Sequence, residues 1–244
     1  MSNRHENKQL RRRGERGNTI VEFALVMVFL VPMFAGSFTI GMGLAKAIQV
    51  SNVTRDAVVL MVRSNTDPQS GLDLSQNQNQ RIIVRAAAGL GMNSDAQYDP
   101  NPNGNSVVYL SRVVKVGPNE CALGVSPPPS GVPNATPPDY GWTTGNCPNY
   151  GSYAFSYRVV IGNGSRWSST IGQPQTTAVR TDGTVSPVDV ATNNAVQANS
   201  FTSATGMTLL PGVYALVSEM YADVSFLNFF SILSNPTLYA RSIS

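Results

Sequence analysis

From Phe23 to Ala45 the chain reads FALVMVFLVPMFAGSFTIGMGLA, 23 residues without a charged side chain. As a helix rising about 1.5 Å per residue, the run is roughly 35 Å long and crosses a hydrocarbon core of about 30 Å. It predicts a transmembrane helix. Pro32 lies inside the run, where it removes an amide donor and crowds the Val28 carbonyl, a kink that neighbours in a membrane accommodate. Ser37 and Gly41, and likewise Gly43 and Ala47, are four residues apart. They put small side chains where a second helix can approach, although ordinary transmembrane composition explains the same residues equally well.

Charge orients the segment. Met1 to Gly17 holds six Lys or Arg against Glu6 and Glu15, a leader of +4, while the whole chain is +3. The other 227 residues carry 11 basic and 12 acidic side chains, net −1. With the basic leader on one side and only Lys46 close behind the run, the N-terminus is expected in the cytoplasm and the bulk of the chain outside, periplasmic or extracellular. A body of net −1 gives no electrostatic footing to a nucleic-acid partner. A cleaved signal peptide is the alternative to a retained anchor. Its apolar core is usually about 7 to 15 residues, shorter than this run, and Ala45-Lys46-Ala47 and Arg11-Arg12 are weak cleavage and twin-arginine signals.

Beyond Lys46 the sequence AKAIQVSNVTRDAVVLMVR keeps helical spacing, with Ile48, Val53, Ala57, Leu60 and Met61 recurring every few residues. One helix over residues 18–63 is expected, near 70 Å long at about 1.5 Å per residue. Its second half is amphipathic and should pack on the exported domain.

The only histidine, His5, lies in the leader, which removes His-based triads and His-ligated metals from the body. No Gly-x-Ser-x-Gly elbow, Ser-x-x-Lys pair or Walker loop occurs, and no cofactor is implied. Glu219 and Asp223 would share a helix face only if their segment were helical, and its β-rich context favours solvated or hydrogen-bonded roles. The chain is read as a non-enzyme. Asp99-Pro100-Asn101-Pro102-Asn103-Gly104 copies the opening of a calcium loop, but position twelve is Leu110 and not the bidentate glutamate; a turn is the favoured reading and no metal is assigned. Cys121 and Cys147 flank a Pro- and Gly-rich stretch and suit one disulfide in an oxidising compartment, with two buried thiols as the alternative.

Arg16-Gly17, then Asn18-Thr19-Ile20-Val21-Glu22-Phe23, the apolar run and the helix around Val50 to Arg63 together resemble the TadE-like pseudopilins of the tight-adherence (Tad) pilus system. Gly212 to Tyr221 and Leu238 to Arg241 look like the closing strand and final segment of such proteins. The resemblance implies that a prepilin peptidase cuts after Gly17, removing the leader and leaving Asn18 with a free α-amino group, whose unperturbed pKa is about 8. Glu22 is then the fifth residue of the mature chain, where it can pair with the Asn18 ammonium of the subunit ahead; at the headgroup level the helix dipole alone also stabilises it. Phe23 follows as the first residue of the apolar run. Other pilins and pseudopilins, an inner-membrane platform with its ATPase, and membrane lipid are the implied partners. The length points to a minor subunit that enters or primes a filament. The rival reading is an anchored periplasmic binding or adhesive module that never joins one.

The expected fold is α+β: a leader (1–17), a transmembrane and stalk helix (18–63), and an exported pilin-like antiparallel sheet domain (64–244) with a loop at 117–152. Residues 65–80 read as a loop and 80–92 as a short helix. Strand signals fall at 106–116, 153–161, 213–222 and, more weakly, 176–180. The apolar stretch 224–233 reads as a buried strand, a short helix or a contact surface.

Overall fold

In this computed structural model residues 6–66, 73–125, 141–223 and 237–244 are described, with side chains of the first helix taken from Thr19 to Ser64. The chain divides into two compact units, Met1–Ala45 and Lys46–Ser244. Helix α1, Glu6–Thr66, contributes to both and starts before the expected position 18, inside the basic leader. Pro32 lies within it. Proline has no N–H, so the Val28 carbonyl loses its helical donor there.

The second unit is a four-stranded antiparallel sheet with helices on it. After α1 come α2 (Asn77–Ala86), β1 (Ser106–Lys115), α3 (Pro118–Gly124), β2 (Tyr153–Gly162), α4 (Pro187–Thr192), α5 (Phe201–Thr205), β3 (Tyr214–Asp223) and β4 (Thr237–Ile243). The strand order is β2-β1-β3-β4. Three strands fall where β-branched and aromatic alternation predicts them. The weak signal at 176–180 is instead a 3-10 turn over Thr176–Ala178, followed by an isolated bridge from Val179 to Val185. The short helix at 80–92 ends at Ala86 and continues as turns. Within the expected loop 117–152, α3 forms because Pro118 suits a first helical turn and Glu120 Oε2 accepts the Gly117 N–H at 2.9 Å. The proline triplet and the stretch 224–233 lie outside the described residues.

The two faces of the sheet carry separate cores. On one, Val50, Val53, Ala57 and Met61 of α1 pack with Ile83 and Val84 of α2 against Val108, Leu110, Ile161 and Met220. The three- and four-residue spacing of those α1 positions is a helical stripe, and each large aliphatic side chain so buried contributes about 1.5–3 kcal/mol. Val53, Ala57 and Met61 are buried as the sequence reading expects, but Val50 is buried where Ile48 was expected, and Ile48 is 53% exposed. On the other face Val113, Phe155, Val217 and Phe201 pack with Trp142 and the bonded pair Cys121 and Cys147, whose Cα atoms are 5.8 Å apart.

One irregularity sets which side chains reach which face. Arg112 pairs with Tyr157 but Val113 pairs with Phe155, leaving Ser156 as an extra residue in β2. A one-residue bulge reverses the alternation of everything beyond it. Phe155 and Arg158, three apart, therefore share one face, and β2 ends at Gly162, whose φ of 93° and closeness to the Ser106 carbonyl leave no room for a Cβ.

Candidate functional site

In the first unit the chemistry is that of an exposed apolar helix. Every described side chain from Thr19 to Phe34 is exposed, Phe29 at 70%, and Ile40 farther along is 73% exposed. Glu22 and Phe23 are both exposed one turn past Asn18. Gly17 and Asn18 lie in α1, and their side chains fall outside the description. Ser37 Oγ donates to the Met33 carbonyl at 2.9 Å and Thr39 Oγ1 to the Gly36 carbonyl at 2.8 Å, so these hydroxyls are satisfied within the helix and need no water. A methyl group added at Gly36, Gly41 or Gly43 would meet nothing within 4 Å. Ser37 and Gly41 are exposed and Gly43 and Ala47 half-buried. Thr19–Ser64 is long and apolar enough to cross a membrane.

In the second unit the sheet face that carries Val113 and Phe155 also holds a buried polar cluster that the sequence reading did not single out. Arg158 is 5% exposed, its guanidinium 4.5 Å from the centre of the Tyr109 ring and 5.3 Å from that of Phe155. It donates to Ser111 Oγ and, at 3.5 Å, to the Gly172 carbonyl. Burial pulls its pKa down to about 10, against the opposing pull of Glu219. Glu219, fully buried, accepts four hydrogen bonds: from the Thr170 N–H at 3.1 Å, the Tyr239 hydroxyl at 3.0 Å, Thr170 Oγ1 and Ser169 Oγ. Arg166 pairs with Asp223 on the same side of the sheet. Burial raises the pKa of Tyr109, Tyr221 and Tyr239. A carboxyl group occupied by four donors is not poised to abstract a proton. The cluster ties the 163–172 segment and β4 to the sheet, and Glu219 and Asp223 are strand residues in structural roles. A signal existed in the polar positions 158 and 219 within apolar strands, but the bulge at Ser156 hid which face Arg158 would take.

The calcium-loop copy is a turn held by other contacts. Asp99 binds Arg81 Nε at 2.7 Å, and Asn101 Oδ1 accepts the Asn103 N–H at 2.9 Å. Among the described residues no group of three or more His, Cys, Asp or Glu comes together. A cleft of about 210 Å³ opens at the far end of β1, lined by Arg112, Glu120, Leu123, Pro187 and Tyr214 among others.

These features define a class: a chain with an N-terminal helix able to span a membrane, joined to an antiparallel α+β domain. The model of the family described as TadE-like protein matches residues 17–58, which cover the Gly17 position, the apolar run and most of the buried stripe of α1. Over those residues the chain is similar to that family. No curated protein and no solved structure matches the chain.

Proposed function

We propose that the chain is a minor pseudopilin-like structural subunit that takes part in assembling a Tad-type pilus or secretion filament. The observation that carries this reading is the exposed apolar surface of α1 from Ile20 to Leu44, which requires lipid before assembly and other helices after it. The family match over this segment supports it. In this reading a prepilin peptidase cuts between Gly17 and Asn18 at the cytoplasmic face of the inner membrane. The new Asn18 ammonium of one subunit then meets Glu22 of the next, and Ser37, Gly41, Gly43 and Ala47 let neighbouring helices close up. The assembly platform and its ATPase drive insertion, and Phe23 anchors the start of the apolar surface. The bonded pair Cys121 and Cys147 fits a domain that folds on the oxidising side of that membrane. The chain performs no reaction of its own, and the body of −1 makes nucleic acid an unfit partner.

The Glu22→Ala variant tests the reading. Membrane insertion and the fold of the second unit should persist while filament assembly is lost. Normal assembly with Glu22→Ala would instead favour a simple anchored binding or adhesive module.

A further inference from the structure

The two edges of the sheet differ. Along β2 the outer edge is met by other parts of the chain: the Arg158 N–H donates to the Gly183 carbonyl at 2.7 Å, the Val185 N–H to the Ser156 carbonyl at 3.1 Å and the Ala198 N–H to the Tyr153 carbonyl at 2.8 Å. Strand β4 forms the opposite edge. It pairs inward with β3 from Val217–Ile243 to Asp223–Thr237 without a break in register, and Leu216 and Ser244 exchange both backbone hydrogen bonds, at 2.9 and 3.0 Å. Hydrogen-bonded pairs alternate in an antiparallel ladder. Ser242, Ala240 and Leu238 therefore turn their backbone groups toward β3, and Ile243, Arg241 and Tyr239 turn theirs outward. Among the described residues no backbone hydrogen bond or bridge reaches those outward groups. Natural edges are commonly blunted by proline, lysine or a bulge. The strand TLYARSI has none of these, and its one charge is Arg241.

The side chains beside this edge specify what it accepts. Tyr239, 42% exposed, ends a row of rings, 4.8 Å from Tyr221, which in turn stacks on Trp167. Arg241 lies two residues on, on the same face. It is in register with Glu219, whose oxygens are taken by Ser169, Thr170 and Tyr239, and its own side chain reaches only Thr170 Oγ1, at 3.5 Å, with no ion pair among the described residues. We infer that β4 is a docking edge for an extended strand of a partner protein, carrying an acidic side chain opposite Arg241 and an aromatic or β-branched one opposite Tyr239. Main-chain bonds to residues 239, 241 and 243 supply the affinity and the alternate side chains the selectivity. A second copy of this chain does not supply such a strand from its own edges. Its β2 edge is occupied, and β4 against β4 brings no acid, since β4 contains none. The inference rests on the sheet alone and is independent of the role of α1.

Hydrogen-exchange mass spectrometry on the full chain in lipid nanodiscs tests it. The probe is a capped peptide, Thr-Thr-Glu-Val-Tyr-Thr-Thr, matched in length to β4, with a second peptide in which lysine replaces the glutamate. Residues 237–244 should exchange faster than the central strand β1 in the free protein and slow when the acidic peptide is added. That peptide should be preferred over its lysine counterpart by roughly five-fold. In Arg241→Glu the preference should reverse, and in Arg241→Gln it should vanish, both with unchanged exchange in β1. No protection at millimolar peptide, or an equal response to the two peptides, overturns the inference. So does protection of 237–244 at the level of β1 before any peptide is present, because the chain would then already cover its own edge.

Discussion

Residues 20–44 and residues 46–244 handle apolar side chains in opposite ways. In the first stretch nearly every large side chain is exposed; in the second, two cores and a polar cluster are closed over by the chain itself. The contrast separates what a subunit needs for its own fold from what it leaves for others. Stability resides in the sheet unit, and in the proposed role the exposed helix is a surface for lipid and for other helices. Glu22 and Glu219 show the same division at the level of one residue type. Glu22 lies exposed on the helix, whereas Glu219 is enclosed by four donors.

The largest effect should come from cutting the regions apart. A chain begun at Lys46 should move from the detergent-extracted to the soluble fraction and still give the strand content and cooperative melting of the full protein, read by fractionation and circular dichroism. Loss of cooperative melting would break the comparison. Next is Glu219→Ala, which strands Arg158 and leaves three donor side chains without their acceptor; it should lower stability by about 3 kcal/mol in urea unfolding, whereas Glu22→Ala should leave the same midpoint unmoved. Reducing the bond between Cys121 and Cys147, which closes a separation of 26 residues, should cost a similar or smaller amount, about 3 kcal/mol in the chain-entropy model, with no change in membrane extraction.

A smaller effect is expected in alkali. Burial raises the pKa of Tyr157 above its ordinary value of about 10, and those of Tyr109, Tyr221 and Tyr239 move the same way. Above pH about 10 the unfolded chain loses these protons while the folded one keeps them, so stability present below that pH falls as pH rises, by at most about 1.4 kcal/mol per pH unit for each tyrosine. Arg158 works the other way. Its folded pKa of about 10 lies below the unfolded value, so its desolvation cost is relieved as pH passes about 10, but one arginine is set against four tyrosines. Urea midpoints between pH 9 and 11 should fall, and fall less steeply in Tyr157→Phe.

Much of this division is legible in the sequence because it depends on local pattern. The uncharged run from Phe23 to Ala45, the helical stripe after Lys46 and the alternation in β1, β2 and β3 each reveal themselves within one continuous stretch of sequence. The parts that escaped depend on distant partners. Strand β4 is short and holds Arg241 and Ser242, and only its pairing with β3 makes it a strand. The weak alternation at 176–180 lacks a partner of that kind and turns as a 3-10 segment. Helical spacing identified the α1 stripe at Val53, Ala57 and Met61 but not its first member, since Ile48 and Val50 fit nearly as well until α2 and the sheet choose one. The polar cluster needed both the bulge at Ser156 and the 163–172 segment, neither of which leaves a mark in composition.

The most direct measurement of the central claim is the intact mass and N-terminal sequence of membrane-extracted protein, made with and without a prepilin peptidase and with a Gly17 substitution as control. An N-terminus at Asn18 that requires both the peptidase and Gly17 is the predicted result. A chain that still begins at Met1 in the presence of active peptidase would contradict the pseudopilin reading and leave a tether.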